Sequence, residues 1–303
     1  MKKIIVTGAS GFLGNCLIEH ILSKPKYYKL YALTGKEDAL KYKYRTSRIV
    51  VLNRNSIFDK KSEYVKDLIK DSYIVNCAFP RNTVGLQFAE GLDYISGLFN
   101  IARTFRAKAI INISSQSVYS QKRNKIANEA TPIELESIYA TGKYAVELLL
   151  ESICKDMIHT NLRISSLIGA RFDQRVTNKM IDDAIYNKQI KVINNQKIFG
   201  YMDVDDAAEA VIALLETNTI YWEPIYTVGV GCGYKLIDIS KLIVDLSNKL
   251  MNVAVEVKIK EEEDFGNTSV SCDLFSKHTG FHCSFSLEDS LRRIFEFKLK
   301  KKV

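Results

Sequence analysis

Three glycines near the start of the chain constrain its fold more than any other feature. Gly8, Gly11 and Gly14 stand between a β-branched run at residues 4–6 and an apolar, helix-patterned stretch at residues 16–22. The pattern predicts a buried parallel strand, a tight turn and a helix. Glycines at this spacing let the backbone approach a phosphate closely, and the free N–H groups of the helix N-terminus favour an anion. The sequence therefore predicts a site for a dinucleotide pyrophosphate.

Strand and helix patterns alternate through the first half of the chain. Further strands are predicted at residues 29–33, 49–52, 73–77 and 109–113, with helices at 64–70 and 86–106 between them. Such alternation is typical of an α/β fold with a doubly wound parallel sheet. We expect residues 1–165 and 205–230 to form a Rossmann-type NAD(P)-binding domain. Residues 166–204 and 231–303 would then form a smaller, C-terminal substrate-binding lobe.

Composition and charge narrow the class of protein. The hydrophobic share of 47% is ordinary for a globular protein, and no apolar run approaches the roughly 18 residues that a membrane span requires. The net charge of +8 suits an anionic small substrate, and we interpret the basic runs as solvated faces, with no nucleic-acid partner. The six cysteines form no Cys-x-x-Cys pair and the four histidines are scattered, so we expect reduced thiols, a cytoplasmic location and no metal site.

The residues after the second predicted strand bear on the choice of cofactor. An NAD site usually places an acidic side chain there, on the adenosine ribose. Here Thr34 and Lys36 precede the first acid, Glu37, and a hydroxyl followed by a lysine tolerates the 2′-phosphate of NADP. The sequence favours NADP, with NAD as the alternative. The predicted cofactor contacts are Gly8, Ser10, Gly11, Phe12, Leu13, Gly14, Thr34, Lys36, Asn53, Cys77, Ala78, Phe79, Tyr139 and Lys143.

Three side chains further along the chain suit proton transfer. Ser115 follows the fifth predicted strand, and Tyr139 and Lys143 lie four residues apart where a helix is predicted to begin. Residues four apart share one face of a helix. An adjacent ammonium stabilises a phenolate, which exchanges a proton with a hydroxyl on the carbon that gives or takes hydride. The serine can hydrogen-bond the same oxygen.

Together these segments resemble the extended short-chain dehydrogenase/reductase superfamily, and within it the NAD(P)-dependent epimerase/dehydratase family acting on nucleotide sugars. The resemblance covers nearly the whole chain and is carried by Thr7-Gly8-x-x-Gly11-x-x-Gly14, Ile113-Ser114-Ser115-x-Ser117-Val118-Tyr119, Tyr139-x-x-x-Lys143, Leu162-Arg163 before Gly169, Val204-Asp205-Asp206-Ala207, Tyr226-x-Val228-Gly229-x-Gly231, and Asp273 through Gly280-Phe281. It implies that Ser115 and Tyr139 contact the reacting sugar oxygen and that Lys143 holds the nicotinamide ribose. It also implies a nucleotide-sugar substrate and a homodimer.

The chain departs from the family pattern at positions that matter for the reaction. Dehydratases of the family carry an Asp-Glu pair where Gln116 and Ser117 stand here, so a 4,6-dehydratase is not expected. Ser166 replaces an asparagine that often contacts the substrate diphosphate, and Arg171 or Arg175 would take over that contact. The predicted substrate contacts are Arg81, Ser115, Gln116, Ser166 and Arg171.

The resulting hypothesis is an NAD(P)-dependent oxidoreductase acting on a nucleotide sugar, as a 4-ketoreductase. A 4-epimerase with tightly bound NAD shares the same chemistry and is the alternative. A regulator that senses NAD(P) without catalysis is a third hypothesis, which the presence of Ser115, Tyr139 and Lys143 disfavours.

Overall fold

A seven-stranded parallel sheet runs through the computed structural model, which describes residues 2–24, 28–81, 83–194 and 196–302. The strands are β1 (Lys2–Thr7), β2 (Tyr28–Thr34), β3 (Ile49–Asn53), β4 (Tyr73–Asn76), β5 (Ala109–Ser115), β6 (His159–Ile164), β7 (Ser166–Ile168), β8 (Gln189–Asn194), β9 (Tyr201–Asp203), β10 (Ile225–Val228) and β11 (Glu256–Glu261). The helices are α1 (Phe12–Ser23), α2 (Glu37–Lys43), α3 (Glu63–Ile69), α4 (Gly85–Thr104), α5 (Ile138–Ile153), α6 (Val176–Asp182), α7 (Val204–Glu216), α8 (Leu236–Met251), α9 (Asp273–Thr279) and α10 (Leu287–Lys302). Short 3-10 helices at Arg54–Phe58, Gln116–Val118 and Thr219–Tyr221 and a π-helical turn at Asp183–Asn187 complete the secondary structure.

The strand order of the main sheet is β10-β6-β5-β4-β1-β2-β3. The chain moves outward from β1 to β3, then returns to β4 on the other side of β1 and continues outward again. The order therefore reverses between β1 and β4, directly above the turn that contains Gly8. Ligands of open α/β sheets bind at such a reversal, at the carboxyl ends of the strands. The predicted doubly wound parallel sheet is confirmed.

Helices cover both faces of this sheet, which is why its central strands are almost purely apolar. Ile4 and Val6 face the side covered by α1 and α7, whereas Ile5 faces the side covered by α4 and α5. All three are fully buried. Among the described residues, no helix is both long and apolar enough to span a bilayer.

A second core lies outside the main sheet. The parallel pair β8 and β11 packs with α6, α8 and α10 around side chains such as Ile181, Ile243 and Phe295. Phe275 and Phe281 pack instead in the core between the main sheet and helices α1 and α7, although we expected residues 231–303 to belong to the substrate-binding lobe. The ring of Phe275 packs edge-on against Tyr226 of β10, which ties α9 to the edge of the main sheet.

Buried amides fix the register of the inner strands. Thr7 Oγ1 donates to Asn76 Oδ1 (2.7 Å), Asn76 Nδ2 to Asn112 Oδ1 (2.9 Å), and Asn112 Nδ2 to Asn161 Oδ1 (2.8 Å). The chain of bonds crosses β1, β4, β5 and β6, and all four side chains are buried. A slip of one residue would turn every one of these polar groups toward apolar neighbours.

A buried ion pair joins α5 to the sheet. Arg163 of β6 makes a bidentate contact with Glu147 of α5, with Nη2–Oε2 at 2.7 Å and Nε–Oε1 at 3.1 Å. Ser114 of β5 also donates to Glu147, and Arg163 Nη1 donates to the hydroxyl of Tyr119 (2.9 Å). Glu147 lies one turn beyond Lys143 on the same face of α5, so the pair sets where that face sits against β5 and β6.

Replacing Glu147 with Gln is expected to lower the free energy of unfolding by about 3–5 kcal/mol, because it leaves the Arg163 guanidinium buried without its counter-charge. Glu151→Gln, on the exposed side of the same helix, is the control and should be nearly neutral. Urea denaturation of the three proteins measures the difference. Equal stabilities for the two variants would contradict the role given to the pair.

Replacing Gly8 with Ala is expected to cost at least about 1–3 kcal/mol of unfolding free energy. Gly8 has φ of +61°, and a Cβ there would lie 2.7 Å from the backbone nitrogen of Ala78. Gly35→Ala is the matched control, because a Cβ at that exposed position meets nothing within 4 Å. Thermal and urea unfolding distinguish the two, and a Gly8 variant as stable as the Gly35 variant would refute the steric argument.

Candidate active site

Two cavities meet above the glycine turn. One, of about 700 Å³, lies between the carboxyl ends of β5 and β6 on one side and Val176, Phe199 and Tyr201 on the other, and we call it the cleft. The other, of about 490 Å³, lies above β1, β2 and β4, and we call it the adenosine groove. Gly11, Cys77 and Phe79 line both cavities, so the two are continuous across the turn. Of the other predicted cofactor residues, the cleft is lined by Phe12, Leu13, Gly14, Tyr139 and Lys143, and the groove by Gly8, Ser10, Thr34 and Ala78.

The helix after the turn presents a free N-terminus. α1 begins at Phe12 after Gly11, which has no side chain to cap the helix, and the first turn carries no acidic residue. Its first N–H groups are therefore not satisfied by a side-chain cap, and the positive end of the helix dipole is not neutralised there. With the close backbone packing at Gly8, this arrangement fits the pyrophosphate of a dinucleotide.

Of three predicted adenosine contacts, Thr34 lines the groove, whereas Lys36 and Asn53 do not. Thr34 is buried, and its hydroxyl donates to Ser10 Oγ (3.0 Å) and accepts from the backbone N–H of Lys36 (3.0 Å). Lys36 instead lines a neighbouring cavity, which shares Ser10 and Gly11 of the glycine turn with the groove. Asn53 Nδ2 donates to Glu37 Oε1 (2.6 Å) and does not line the groove either. The end of β2 therefore brings neither an acid nor Lys36 into the groove.

Arg54 and Tyr94 also line the groove, and the sequence analysis did not assign either of them to the cofactor site. Arg54 follows β3 directly, and its guanidinium lies 5.5 Å from the centre of the Tyr94 ring. Burial raises the pKa of Tyr94 to about 12, and its hydroxyl has no hydrogen-bond partner within the described part of the chain. The signal available in the sequence was the position of Arg54, one residue past Asn53, which pairs with Thr34 at the end of β2.

Ser115, Tyr139 and Lys143 all line the cleft. Ser115 is the last residue of β5, and the tyrosine and lysine lie on the first two turns of α5. That helix begins where Ser137 Oγ accepts the N–H of Ala140 (3.1 Å), a side-chain cap that fixes its first turn. The end of β5 and the start of α5 therefore line the same cavity.

The Phe79 ring contacts both Tyr139 and Lys143. Lys143 is buried, and its Nζ donates to the carbonyl of Ile113 (2.8 Å) and lies 4.4 Å from the centre of the Phe79 ring. The Phe79 ring meets Tyr139 edge-on, with centres 5.2 Å apart and planes at 84°. A cation over an aromatic face is stabilised by the ring quadrupole. One aromatic ring therefore supports both polar groups.

Burial lowers the pKa of Lys143, and the neighbouring Tyr139 opposes this shift. No carboxylate in the described residues forms an ion pair with the Lys143 ammonium, so a phenolate or a ligand hydroxyl would stabilise it. Burial also raises the pKa of Cys77 to about 12, so this thiol stays protonated beneath the cavity.

Hydrogen bonds orient the Ser115 hydroxyl. Its oxygen accepts from the backbone N–H of Ser117 (3.2 Å) and from the Ser117 hydroxyl (2.9 Å). With both acceptor positions taken, the hydrogen of Ser115 is available to donate to an oxygen in the cleft.

Gln116 lines the cleft beside Ser115 and is almost fully buried. Its Nε2 donates to Gln121 Oε1 (3.3 Å), while its Oε1 has no partner among the described residues. No aspartate or glutamate is found among the described residues that line the cleft. Beside Ser115 the cleft therefore presents an amide, which does not titrate.

Two guanidinium groups flank an aromatic ring in the cleft. Arg81 lies 4.9 Å and Arg175 5.1 Å from the centre of Phe172, and Arg81 is 5.9 Å from the centre of Tyr139. Arg175 Nε donates to the Leu167 carbonyl (2.8 Å), and burial, together with Arg81, lowers the pKa of Arg175. Neither guanidinium pairs with a carboxylate of the described chain, so the cleft carries positive charge that suits an anion.

The remaining predicted substrate contacts are Ser166 and Arg171. Ser166 lines the cleft. Lys197, which was not predicted, also lines it and pairs with Asp264 (3.0 Å). Arg171 does not line the cleft: it pairs with Glu19 of α1 (3.0 Å) and lines the same neighbouring cavity as Lys36. The structure thus brings Arg175, rather than Arg171, to the cleft.

Comparison with curated proteins finds remote relatives. The chain is 21% identical over 283 residues to a dTDP-D-glucose 4,6-dehydratase of Dictyostelium discoideum, an alignment that covers 82% of this chain and 62% of that protein. It is 26% identical over 249 residues to Protein CapI of Staphylococcus aureus, covering 71% of this chain and 69% of that one. The match therefore spans less than two thirds of the Dictyostelium protein.

Solved structures share the fold at low identity. A UDP-glucuronic acid 4-epimerase mutant from Bacillus cereus, in complex with a fluorinated UDP-glucuronic acid and NAD, superimposes with a TM-score of 0.82 at 18% identity, covering 99% of this chain and 100% of that one. A dTDP-glucose 4,6-dehydratase from Bacillus anthracis in complex with NAD gives a TM-score of 0.81 at 15% identity, covering 100% and 98%.

The family comparison agrees with the glycine turn and the cleft. The model of the NAD dependent epimerase/dehydratase family matches residues 4–229, which span the main sheet and the residues around Ser115, Tyr139 and Lys143. The chain belongs to the NAD dependent epimerase/dehydratase family, whose relatives include NAD-dependent enzymes acting on nucleotide sugars.

Proposed function

We propose that the protein is a reductase that uses NADPH to convert a 4-keto nucleotide sugar into a hydroxy sugar. The observation that carries the proposal is the meeting of Ser115, Tyr139 and Lys143 in a cleft that opens onto the dinucleotide groove. These groups supply a hydrogen-bond donor, a proton carrier and a cation, which is what reduction of a ketone requires.

Each of the three residues has a distinct role in this proposal. Tyr139 gives its phenolic proton to the sugar oxygen as the carbonyl becomes a hydroxyl. Ser115 donates its free hydrogen to the same oxygen, because its own oxygen already accepts two hydrogen bonds from Ser117. Lys143, held by Ile113 and Phe79, stabilises the phenolate that Tyr139 becomes and anchors the cofactor ribose.

The cofactor supplies the hydride when bound. The glycine turn and the N-terminus of α1 hold its pyrophosphate, and the adenosine groove holds the other end. In that groove Arg54 offers a cation, and the end of β2 offers no carboxylate to a ribose hydroxyl. A guanidinium binds phosphate well, so the groove suits the 2′-phosphate of NADPH.

The substrate assignment rests on charge and shape. Arg81 and Arg175 line the cleft and have no acidic partners in the described chain. A nucleoside diphosphate carries the matching negative charge. A cleft of about 700 Å³ has room for a sugar and much of its nucleotide.

Dehydration is disfavoured by the same cleft. Elimination of water needs an acid and a base on the sugar, and Gln116 and Ser117 provide neither. An amide does not titrate, and a serine hydroxyl without a base is a poor proton acceptor.

A 4-epimerase is the second candidate. The same three residues can take a proton while hydride leaves C4 and return it after the keto sugar turns over. Structural neighbours that include an epimerase in complex with NAD favour this candidate, although the likeness shows the fold alone. In either case we propose a homodimer, in which the exposed Leu148 of α5 would be covered by a second copy.

Activity assays with two kinds of nucleotide sugar separate the two candidates. With a 4-keto nucleotide sugar and NADPH, a reductase consumes one reduced nicotinamide for each sugar converted, which absorbance follows directly. An epimerase changes the stereochemistry of a hydroxy nucleotide sugar with no net change in absorbance, and retains its cofactor through purification. Mass spectrometry of the purified protein identifies any retained dinucleotide.

Replacing Tyr139 with Phe is expected to lower kcat about 100- to 10,000-fold, because the proton carrier is lost. Dinucleotide affinity should remain close to that of the wild type. Tyr144→Phe, on the same helix but outside the cleft, is the matched control and should turn over normally. Steady-state kinetics and dinucleotide titration measure both effects. Normal turnover in the Tyr139 variant would refute its catalytic role, and no turnover in the wild type with intact binding would favour the sensing regulator.

Replacing Arg54 with Ser is expected to raise KM for NADPH about 10- to 100-fold while leaving KM for NADH unchanged, because a charge-assisted bond to the 2′-phosphate is lost. Arg45→Ser, whose guanidinium stacks on the exposed Tyr42, is the control. Initial rates with each cofactor measure the change. A wild-type enzyme that prefers NADH would overturn the NADPH assignment without touching the roles of Ser115 and Tyr139.

A further inference from the structure

A cluster of potential metal-binding donor groups lies where α1 packs against α7. Cys16 and His20 are one turn apart on α1, and Asp205 stands in the first turn of α7, against which α1 packs. Their donor atoms all lie within 4.8 Å of one another. None of the three lines the cleft or the adenosine groove, although Cys16 and Asp205 line a third cavity that shares Gly11 with both.

The distances around one carboxylate oxygen define the cluster. Cys16 Sγ lies 2.9 Å and His20 Nε2 3.0 Å from Asp205 Oδ1. In a tetrahedral zinc site, with bonds of 2.0–2.3 Å, ligand atoms are about 3.3–3.8 Å apart. The two contacts to Asp205 Oδ1 would therefore lengthen by about half an ångström to admit a metal, a change that small side-chain rotations can supply. Because Cys16 and His20 are at i and i+4, both side chains already point to the same side of the helix.

Outer contacts hold the donors in a binding orientation. His20 Nδ1 donates to Glu209 Oε1 (2.7 Å), and Lys24 Nζ donates to the other oxygen of Glu209 (2.9 Å). A metal-binding histidine typically donates its second ring nitrogen to a carboxylate in this way, which fixes the tautomer and the ring plane. Arg293 engages Asp205 Oδ2, so Oδ1 is the oxygen left facing the thiol and the imidazole.

We propose that Cys16, His20 and Asp205 form a structural binding site for a divalent transition metal of the zinc type. A thiolate, an imidazole and a carboxylate together suit zinc and do not suit magnesium or calcium, which prefer oxygen ligands alone. Binding is a ligand exchange without redox change: the cation replaces the thiol proton and the proton on His20 Nε2, and both protons pass to solvent.

The surroundings offer a fourth ligand and a route for entry. A cavity of about 810 Å³ adjoins the cluster and is lined by Cys16, Asp205 and Asp203 among others. Asp203 pairs with Arg293 (3.2 Å), which also holds Asp205, so this end of α7 is already braced by α10. A water molecule from the cavity would complete four-coordination. A bound metal would join α1, and with it the glycine turn, to α7.

Cobalt titration tests the site, because Co²⁺ takes the place of zinc and reports its ligands in the absorption spectrum. The full-length protein is stripped with a chelator and titrated with Co²⁺ alone. We expect one cobalt per chain, with a thiolate-to-cobalt charge-transfer band and the visible bands of a four-coordinate ion, both abolished when zinc is added. Zinc should also raise the Tm of the wild type.

Variants separate this site from adventitious binding by thiols. Cys16→Ser should lose the charge-transfer band and the zinc-induced rise in Tm, whereas Cys232→Ser, which removes an exposed cysteine, should keep both. Glu209→Gln, which alters only the outer contact, should weaken cobalt binding about 10- to 100-fold while keeping the band. If Cys16→Ser fails to fold by circular dichroism, His20→Gln takes its place and should bind cobalt far more weakly.

Two results would overturn the proposal. One is the absence of a thiolate band in the wild type at every cobalt concentration short of precipitation. The other is cobalt binding by Cys16→Ser and His20→Gln equal to that of the wild type. Neither result depends on the reaction that the cleft performs, since both are measured without substrate or dinucleotide.

Discussion

The buried pair of Glu147 and Arg163 is the interaction on which the proposed active site most depends. Both side chains are about 4% exposed, so their contact is hardly screened by water. Glu147 continues the helix face that carries Tyr139 and Lys143, and Arg163 stands on the strand beside β5. The pair therefore fixes the depth and rotation of α5 relative to the end of β5, where Ser115 lies. Geometry at that scale decides whether a proton carrier reaches its substrate.

Other buried polar contacts position the strands and helices around the site. The amide ladder from Asn76 to Asn161 locks neighbouring strands in register, so their carboxyl ends form one level edge. The glycine turn and Ser115 both lie on that edge, and Phe79 bridges from the cofactor side to Tyr139. On the other face of the sheet, α1 is held against α7 by the contacts around Asp205. The helix that faces the pyrophosphate is thus supported along its length, and a metal at Cys16 would strengthen that support.

Much of this arrangement was predictable from the sequence because it depends on local chemistry. The run ending at Val6 is apolar because a parallel strand is covered on both faces, and the glycines after it serve a turn that other residues would obstruct. Tyr139 and Lys143 share a helix face by spacing alone. The family resemblance then indicated that Ser115 would join them, and all three line one cleft.

Other features follow from the direction in which a side chain leaves the backbone, and spacing does not reveal that direction. Lys36 and Arg171 were predicted contacts, yet both line a neighbouring cavity, while Arg54 lines the groove and Arg175 the cleft. The grouping of Cys16, His20 and Asp205 could not be inferred from spacing for a related reason. Its histidine and aspartate are 185 residues apart along the chain.

The sequence by itself determined the parallel sheet, the glycine turn and the helix face bearing Tyr139 and Lys143, because hydrophobic period and glycine conformation act within a few residues. Only the tertiary structure decided which cations enter the cleft and the groove, and which thiol meets an imidazole and a carboxylate. Those outcomes depend on strand register and helix packing, which bring together groups from distant parts of the chain.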